Sequence, residues 1–317
     1  MSEILGLWKL DTPIYCKKEV SGKEFETEIN GVKLRFMFPF CPKKLDMNNN
    51  SFENGDLIAP IGKYQNVTRW GTIHAWPEGL FSVEALMCTA NGTEEDIQKI
   101  YEGFPKWKEK FSDLHLIEMG KYMEPIQKPI ALMAGSLGIY NGLELLISND
   151  DKFIKIPNLS SSVCIKLDFT KDEECYTYLK MKYVFENAGS DKDIALAYRL
   201  MIVSYNAMLR SDFRSAIIIG ATALEQSILH KMEIHYKNKR LNTFEKDKKK
   251  YSMLKRRFGW LKRYSIPIPV KNYKKLIIDI RNETTHDGKN HSYTETKTYL
   301  NNCKILIEQY QPNILED

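Results

Sequence analysis

Apolar and polar side chains alternate in one stretch of the amino-terminal part of the chain. In Val32–Phe38 every second residue is apolar, and Lys33 and Arg35 lie between them. A period of two predicts a half-buried strand. The segment Phe25–Ile29 precedes it, and Asn30-Gly31 between them suits a two-residue type I′ turn, in which both positions need positive φ. The two segments are therefore predicted to form a β-hairpin.

Further strands and one helix are predicted in the same region. The helix should begin at Thr93, and Ile97, Ile100, Tyr101 and Phe104 should form its apolar face. Pro105 should kink or restart it, because the proline ring removes a hydrogen-bond donor and clashes with the preceding turn. Additional strands are expected at Leu80–Cys88, Phe153–Ile156 and Ser162–Phe169.

The carboxy-terminal part shows the three-to-four-residue period of helices instead. Ser190 with Asp193, and Ser292 with Glu295, have the spacing of capping boxes, in which side chains bond to free backbone amides. Short connections between helices predict antiparallel packing. The helices are expected at about Ser190–Arg210, Asp212–Tyr236, Phe244–Tyr264, Lys271–Asn282 and Ser292–Tyr310.

Glycine and proline divide the chain near residue 188. Residues 1–188 contain 13 glycines and 9 prolines, whereas residues 189–317 contain 4 and 3. Because these residues interrupt regular structure, the contrast predicts two domains. The fold class is predicted to be α+β, with a β-rich amino-terminal domain that carries a helical insertion (1–188) and an all-α helical bundle (189–317).

Composition excludes several classes of protein. The 317 residues are 43% hydrophobic and 27% charged, unlike collagen, low-complexity sequences or coiled-coil rods. The start MSEILGLWKLD has no basic segment before an apolar core, so no signal peptide is expected. The 15 uncharged residues of Pro129–Leu143 are too few to cross a bilayer. Six cysteines without a CxxC pair predict reduced thiols in a cytoplasmic protein.

Positive charge is concentrated in one segment, residues 237–275, which we call the basic strip. It contains 15 Lys or Arg residues and two acidic residues, so its formal charge is +13, against +5 for the whole chain. A solvated helix face is the alternative, but such a face normally interleaves both signs. The strip predicts a polyanion-binding surface. The candidate RNA-binding residues are Lys248, Lys249, Lys250, Lys255, Arg256, Arg257, Lys262 and Arg263.

Three residues with complementary chemistry, Arg281, Asn282 and His286, follow an apolar helix. Arginine binds phosphate with two parallel hydrogen bonds, and histidine exchanges a proton near neutral pH. Together they could hold a phosphodiester and assist attack by a ribose 2′-hydroxyl. On an unbroken helix, residues five apart point about 140° away from each other. They converge only if the helix ends between them or if two copies meet. Alternatively, Arg281 caps the helix end and His286 is a surface residue.

The Arg-Asn-x3-His spacing, its place near the carboxy end and the preceding segment DFRSAIIIGATALEQSIL resemble the HEPN domain, a family of helical bundles. The resemblance covers about residues 189–317. Catalytic members of that family are metal-independent endoribonucleases, and two protomers usually bring their Arg and His residues into one cleft. Many members act in bacterial abortive infection or as toxins. The chain is most similar to ApeA-like anti-phage proteins, which also carry a β-rich amino-terminal region and a start similar to Leu5-Gly6-x-Trp8.

The resemblance implies a homodimeric endoribonuclease of anti-phage defence that needs no metal and no cofactor. Arg281 would bind the scissile phosphate, His286 would be the general acid or base, and Asn282 would orient the phosphate or His286. Glu225 would either form an ion pair that positions Arg281 or face solvent on an amphipathic helix. His291 would either assist the reaction or be a solvated loop residue.

The implied partners are RNA, a second copy of the chain and either a phage-derived trigger or an antitoxin, with no membrane. The domain 1–188 would sense the trigger or restrain the nuclease. Two alternatives stay open. The chain could be a non-catalytic HEPN protein that binds nucleic acid or nucleotides, or the toxin half of a toxin–antitoxin pair.

Overall fold

The computed structural model describes residues 2–41, 57–75, 80–118, 143–147 and 175–315. They form two compact units, the first with the described residues up to Asp191 and the second with those from Lys192 onward. The first unit contains an antiparallel sheet with helices, and the second consists of helices. The predicted α+β class is therefore confirmed.

The sheet of the first unit has six strands in its described part. Their order is β2-β3-β5-β1-β6, and β4 pairs with β5. All pairings are antiparallel, and β1 shifts its register against β5 between Lys9 and Ile14. The strands are β1 Ser2–Cys16, β2 Glu24–Ile29, β3 Val32–Met37, β4 Gly71–Ala75, β5 Leu80–Gly92 and β6 Leu143–Ile147.

The predicted hairpin is present as β2 and β3. Asn30 and Gly31 both have positive φ, 47° and 81°, and Ile29 pairs with Val32. Alternate side chains of β2 and β3 are buried, as the sequence pattern predicts. The predicted strand Leu80–Cys88 lies within the longer β5. The predicted strands Phe153–Ile156 and Ser162–Phe169 lie outside the described residues.

Helix α1 (Glu94–Glu118) begins after Thr93, as predicted, and Asp96 accepts hydrogen bonds from the Thr93 backbone and hydroxyl. The helix does not restart at Pro105, since one helix runs through it, and the predicted kink stays a prediction. Tyr101, four residues before Pro105, is 41% exposed. Tyr101 is correspondingly not part of the buried face, contrary to the prediction.

A second helix, α2 (Tyr178–Ala188), packs against α1 and β2 and was not predicted. A buried hydrogen-bond chain joins the three elements. Trp107 Nε1 donates to Thr27 Oγ1 at 2.8 Å, and Thr27 Oγ1 donates to the Phe185 carbonyl at 2.7 Å. Trp107 also stacks on Phe36, with ring centroids 5.2 Å apart. One hydroxyl therefore satisfies polar groups of two helices inside an aromatic core.

The second unit is built around a long helix, α4, against which α3, α6, α7 and α8 pack. Gly220 of α4 permits a close approach, because a Cβ there would lie 2.6 Å from the Leu300 side chain of α8. The helices are α3 Leu196–Leu209, α4 Phe213–Lys239, α5 Phe244–Lys250, α6 Leu254–Arg263, a π-helix Lys274–Asp279, α7 Ile280–His286 and α8 Tyr293–Tyr310.

Three helix predictions for this unit need correction. The first helix begins at Leu196, because Ser190 instead donates to the Asn187 carbonyl at the end of α2. The expected helix Phe244–Tyr264 is two helices, separated at residues 251–253. The expected helix Lys271–Asn282 begins as a π-helix and continues to His286.

The predicted capping box at Ser292 is confirmed. Its hydroxyl accepts the Glu295 backbone N–H at 3.2 Å, and its own backbone N–H donates to the Glu295 carboxylate at 2.8 Å. These two bonds satisfy free amides at the start of α8. They fix the point at which the loop after α7 enters the bundle.

Thr27→Val should destabilise the first unit by about 2–3 kcal/mol, because Trp107 Nε1 loses its acceptor inside the core. Thr27→Ser keeps the hydroxyl and loses one methyl group, which should cost about 1 kcal/mol. Urea unfolding of the two variants measures the difference. A Val variant as stable as the Ser variant would show that this hydrogen bond is not important.

Candidate active site

Helix α7 carries all three residues of the Arg-Asn-x3-His motif. It runs without a break from Ile280 to His286 and follows directly on the π-helix. The hydroxyls of Thr284 and Thr285 donate to the Ile280 and Arg281 carbonyls, four residues earlier. Because these hydroxyls bond back along the helix, they do not interrupt it. The helix does not end between Arg281 and His286, so their side chains leave the axis about 140° apart.

The three motif residues differ in their exposure. Arg281 and Asn282 are partly buried, and Arg281 Nη1 donates to Asn282 Oδ1 at 3.3 Å. His286, the last residue of α7, is exposed. Arg281 is the second residue of α7, so it does not cap the carboxy-terminal end of that helix. The Arg–Asn pair is preorganised, whereas His286 is free to meet another molecule.

Glu225 of α4 faces neighbouring helices and is partly buried rather than solvent-facing. The backbone N–H of Leu254, the first residue of α6, donates to its carboxylate. Burial raises the pKa of Glu225, and the charges of Arg257 and Arg281 act in the opposite direction. The charge of Arg281 therefore acts on this carboxylate, and the solvent-facing interpretation of Glu225 is wrong, whereas an ion pair that positions Arg281 stays a prediction.

Arg257 was predicted to bind RNA, but the structure buries it. Arg257 is only 8% exposed, and its Nη1 donates to the backbone carbonyl of Glu225. The reason is its position on α6, where Leu254, Phe258 and Leu261 form the buried face and residue 257 lies on the same side. Burial lowers the pKa of Arg257, opposed by Glu225. Arg257 is a buried partner of Glu225, not a contact for solvent-borne RNA.

Two residues of α8 that the sequence patterns did not single out belong to the same cluster as Arg281 and Glu225. Tyr299 and Cys303 are fully buried one helical turn apart. Burial and the neighbouring Cys303 raise the pKa of Tyr299, whereas the charge of Arg281 lowers it. Their four-residue spacing on an apolar stripe is visible in the sequence, but it indicates only a buried face. The spacing does not indicate that the charged groups of Arg281 and Glu225 lie nearby.

The other seven candidates of the basic strip are exposed. Several of them lie over partly buried aromatic rings, a combination that can offer both cations for phosphates and rings for bases. The pairs, with distances from the charged group to the ring centroid, are Lys248–Phe244 5.7 Å, Lys250–Tyr251 5.3 Å, Lys262–Tyr273 5.4 Å and Arg263–Tyr264 5.7 Å.

His291 is neither solvated nor at the surface. It is 5% exposed, and neither ring nitrogen has a hydrogen-bond partner within the described residues. It lies in the short connection between α7 and α8, and the carboxylates of Glu283 and Glu295 interact with it electrostatically. The expectation of a solvated loop histidine is wrong. A direct contact between His291 and a substrate would require this connection to open.

Comparisons with protein-family models, with curated proteins and with solved structures each found no match. In the part of the chain that the structure describes, no group of three or more His, Cys, Asp or Glu residues could hold a metal ion. No helix within the same residues has the length and apolar character to span a membrane. The chemistry of the site is therefore inferred from its own residues.

Glu225→Gln should change how stability depends on pH. The pKa of Glu225 is raised above 4.5, so the folded protein holds this proton more tightly than the unfolded chain. As pH rises from about 4.5 through the raised pKa, the wild type should lose free energy of unfolding relative to the variant. Unfolding between about pH 4 and pH 7 measures this difference, with Glu233→Gln at an exposed position of α4 as the control. A relative gain for the wild type would mean that the arginines outweigh burial.

Proposed function

We propose that the protein is a metal-independent endoribonuclease of HEPN type that acts in anti-phage defence by cleaving host or phage RNA. The observation that carries the proposal is that Arg281, Asn282 and His286 lie on one helix, α7, and that Arg281 interacts electrostatically with the partly buried Glu225. The first unit is proposed to sense a phage-derived trigger or to restrain the nuclease.

The proposed reaction is an attack by the ribose 2′-oxygen on the adjacent phosphorus. Arg281 binds the phosphate oxygens and stabilises the charge that develops on them. His286 acts as the general base that takes the 2′-proton, or as the acid that gives a proton to the departing 5′-oxygen. Asn282, bonded to Arg281, orients the phosphate. The products are a 2′,3′-cyclic phosphate and a 5′-hydroxyl.

The continuous helix α7 favours a site composed of two copies of the chain. Arg281 and His286 of one protomer point about 140° apart, so they do not reach one phosphate together. A second protomer related by a two-fold axis brings its own His286 toward Arg281 and makes two equivalent sites. The proposed mechanism therefore requires a homodimer.

The exposed residues of the basic strip are proposed to hold the RNA. Lys and Arg contacts to phosphates give affinity without reading bases. Such binding weakens as the salt concentration rises, because it depends on the release of counterions from the RNA. The residues proposed for these contacts are Lys248, Lys249, Lys250, Lys255, Arg256, Lys262 and Arg263.

A non-catalytic RNA-binding protein is the second candidate function, and one observation favours it. The separation of Arg281 and His286 around α7 leaves a single copy without a convergent acid–base pair, whereas the basic strip is exposed in that same copy. Such a protein would bind RNA without cutting it, and His286 would not affect its affinity.

The purified protein should cleave RNA in EDTA and leave 2′,3′-cyclic phosphate ends. His286→Ala should lower the rate about a hundredfold or more, because the proton transfer loses its side chain. His230→Ala, at a partly buried position of α4, is the control and should leave the rate nearly unchanged. Equal cleavage by wild type and His286→Ala would contradict the assignment of the site.

Mixing two inactive variants tests the composite site. Arg281→Ala and His286→Ala are each expected to be inactive. After unfolding and refolding together at equal amounts, half of the dimers contain one of each, and each of these has one intact site. The mixture should therefore recover about a quarter of the wild-type rate. No recovery, with mixed dimers demonstrated by differently tagged chains, would contradict a site built from Arg281 of one chain and His286 of the other.

A further inference from the structure

One arginine of α6, Arg257, is buried although the two basic residues before it are exposed. Lys255 and Arg256 are exposed, whereas Arg257 is 8% exposed. A buried guanidinium is costly unless hydrogen bonds and an opposite charge compensate for it. Arg257 Nη1 donates to the Glu225 carbonyl and the Glu225 carboxylate acts on the charge of Arg257, whereas Nε is buried with no hydrogen-bond partner among the described residues. Its burial therefore depends on Glu225.

Glu225 is the point at which three helices of the second unit are connected. It lies on α4, and its carboxylate accepts the Leu254 N–H from the first turn of α6. Arg257 belongs to the same turn and donates to the carbonyl of the same residue. Arg281 reaches this carboxylate electrostatically from α7. Helix α6 is thus tied to Glu225 by two hydrogen bonds, independently of Arg281.

The charges of this cluster do not cancel. One carboxylate, Glu225, is opposed by two guanidinium groups, Arg257 and Arg281, so the cluster has a net charge of +1. If Glu225 faced Arg281 alone, the pair would be neutral. A neutral pair holds its arginine in place but attracts a phosphate less, because the carboxylate competes with the phosphate for the same guanidinium.

We propose that Arg257 is a positioning residue that shares the Glu225 carboxylate with Arg281, so that Arg281 is held in place and still attracts a phosphate. Arg257 itself does not touch RNA. The inference deepens the proposed function, since it rests on the assignment of Arg281 as the phosphate-binding residue. It also explains why a basic residue lies on the buried face of α6.

A double-mutant cycle in binding tests this inference. The full chain with His286→Ala serves as the background, so that the RNA probe stays intact, and a fluorescent RNA oligonucleotide reports affinity. Arg257→Gln should weaken binding about tenfold when Arg281 is present and less than twofold after Arg281→Gln, because the two residues act as one unit. Arg256→Gln is the matched control, and its effect should be the same in both backgrounds.

Additive effects of Arg257→Gln and Arg281→Gln, like those of the Arg256 control, would overturn the inference. Circular dichroism and thermal unfolding establish that each variant is folded. If Arg257→Gln does not fold, Arg257→Met replaces it in the cycle with the same expectation, because an apolar side chain of similar length can fill the buried space.

The cycle separates this inference from the proposed function. Coupled binding energies together with no cleavage by the wild type would support the positioning role and leave the nuclease without support. Cleavage by the wild type together with additive binding energies would support the nuclease and overturn the role of Arg257.

Discussion

Three helices of the second unit, α4, α6 and α7, meet at one partly buried carboxylate. Glu225 is the only charged residue of α4 between Ser215 and Leu229, and it lies where α6 and α7 pack against that helix. A buried carboxylate needs hydrogen bonds and opposite charge, and here both come from neighbouring helices. The motif on α7 and the part of the basic strip that lies on α6 are therefore connected through one side chain.

The geometry of α7 limits the chemistry available to one chain. Arg281 donates a hydrogen bond to Asn282 and interacts electrostatically with Glu225, whereas His286 is exposed at the end of the helix. A phosphate bound at Arg281 would find no proton donor from its own α7. In the proposed nuclease, catalysis by these residues would therefore require two copies of the chain, and protein concentration would control the activity.

Local patterns predicted part of the fold and failed where burial overrides them. The hairpin at Asn30-Gly31 and the capping box at Ser292 were predictable, because each depends on neighbouring residues alone. Strand β1 was missed since Ile4, Leu5, Leu7 and Trp8 are all buried, so a strand covered on both faces shows no alternation. The break between α5 and α6 was missed because residues 251–253 contain neither glycine nor proline.

For the candidate site, too, local sequence patterns predicted only part of the arrangement. The spacing of Arg281, Asn282 and His286 was visible in the sequence, but the continuity of the helix between them was not, because threonines can either break a helix or bond along it. Arg257 was predicted to bind RNA together with its exposed neighbours, since a run of basic residues does not reveal which side of a helix faces the core. That distinction arises only when α6 meets α4.

The π-helix at Lys274–Asp279 has a consequence for comparisons between related chains. A π-turn has one residue more than the α-turn it replaces, and each residue rotates a helix by about 100°. A relative with a plain α-helix here would be one residue shorter before the motif. Its upstream residues would face the same way as here, but each would lie one position nearer to the motif in the sequence. An alignment without that gap would therefore pair buried positions of one chain with exposed positions of the other.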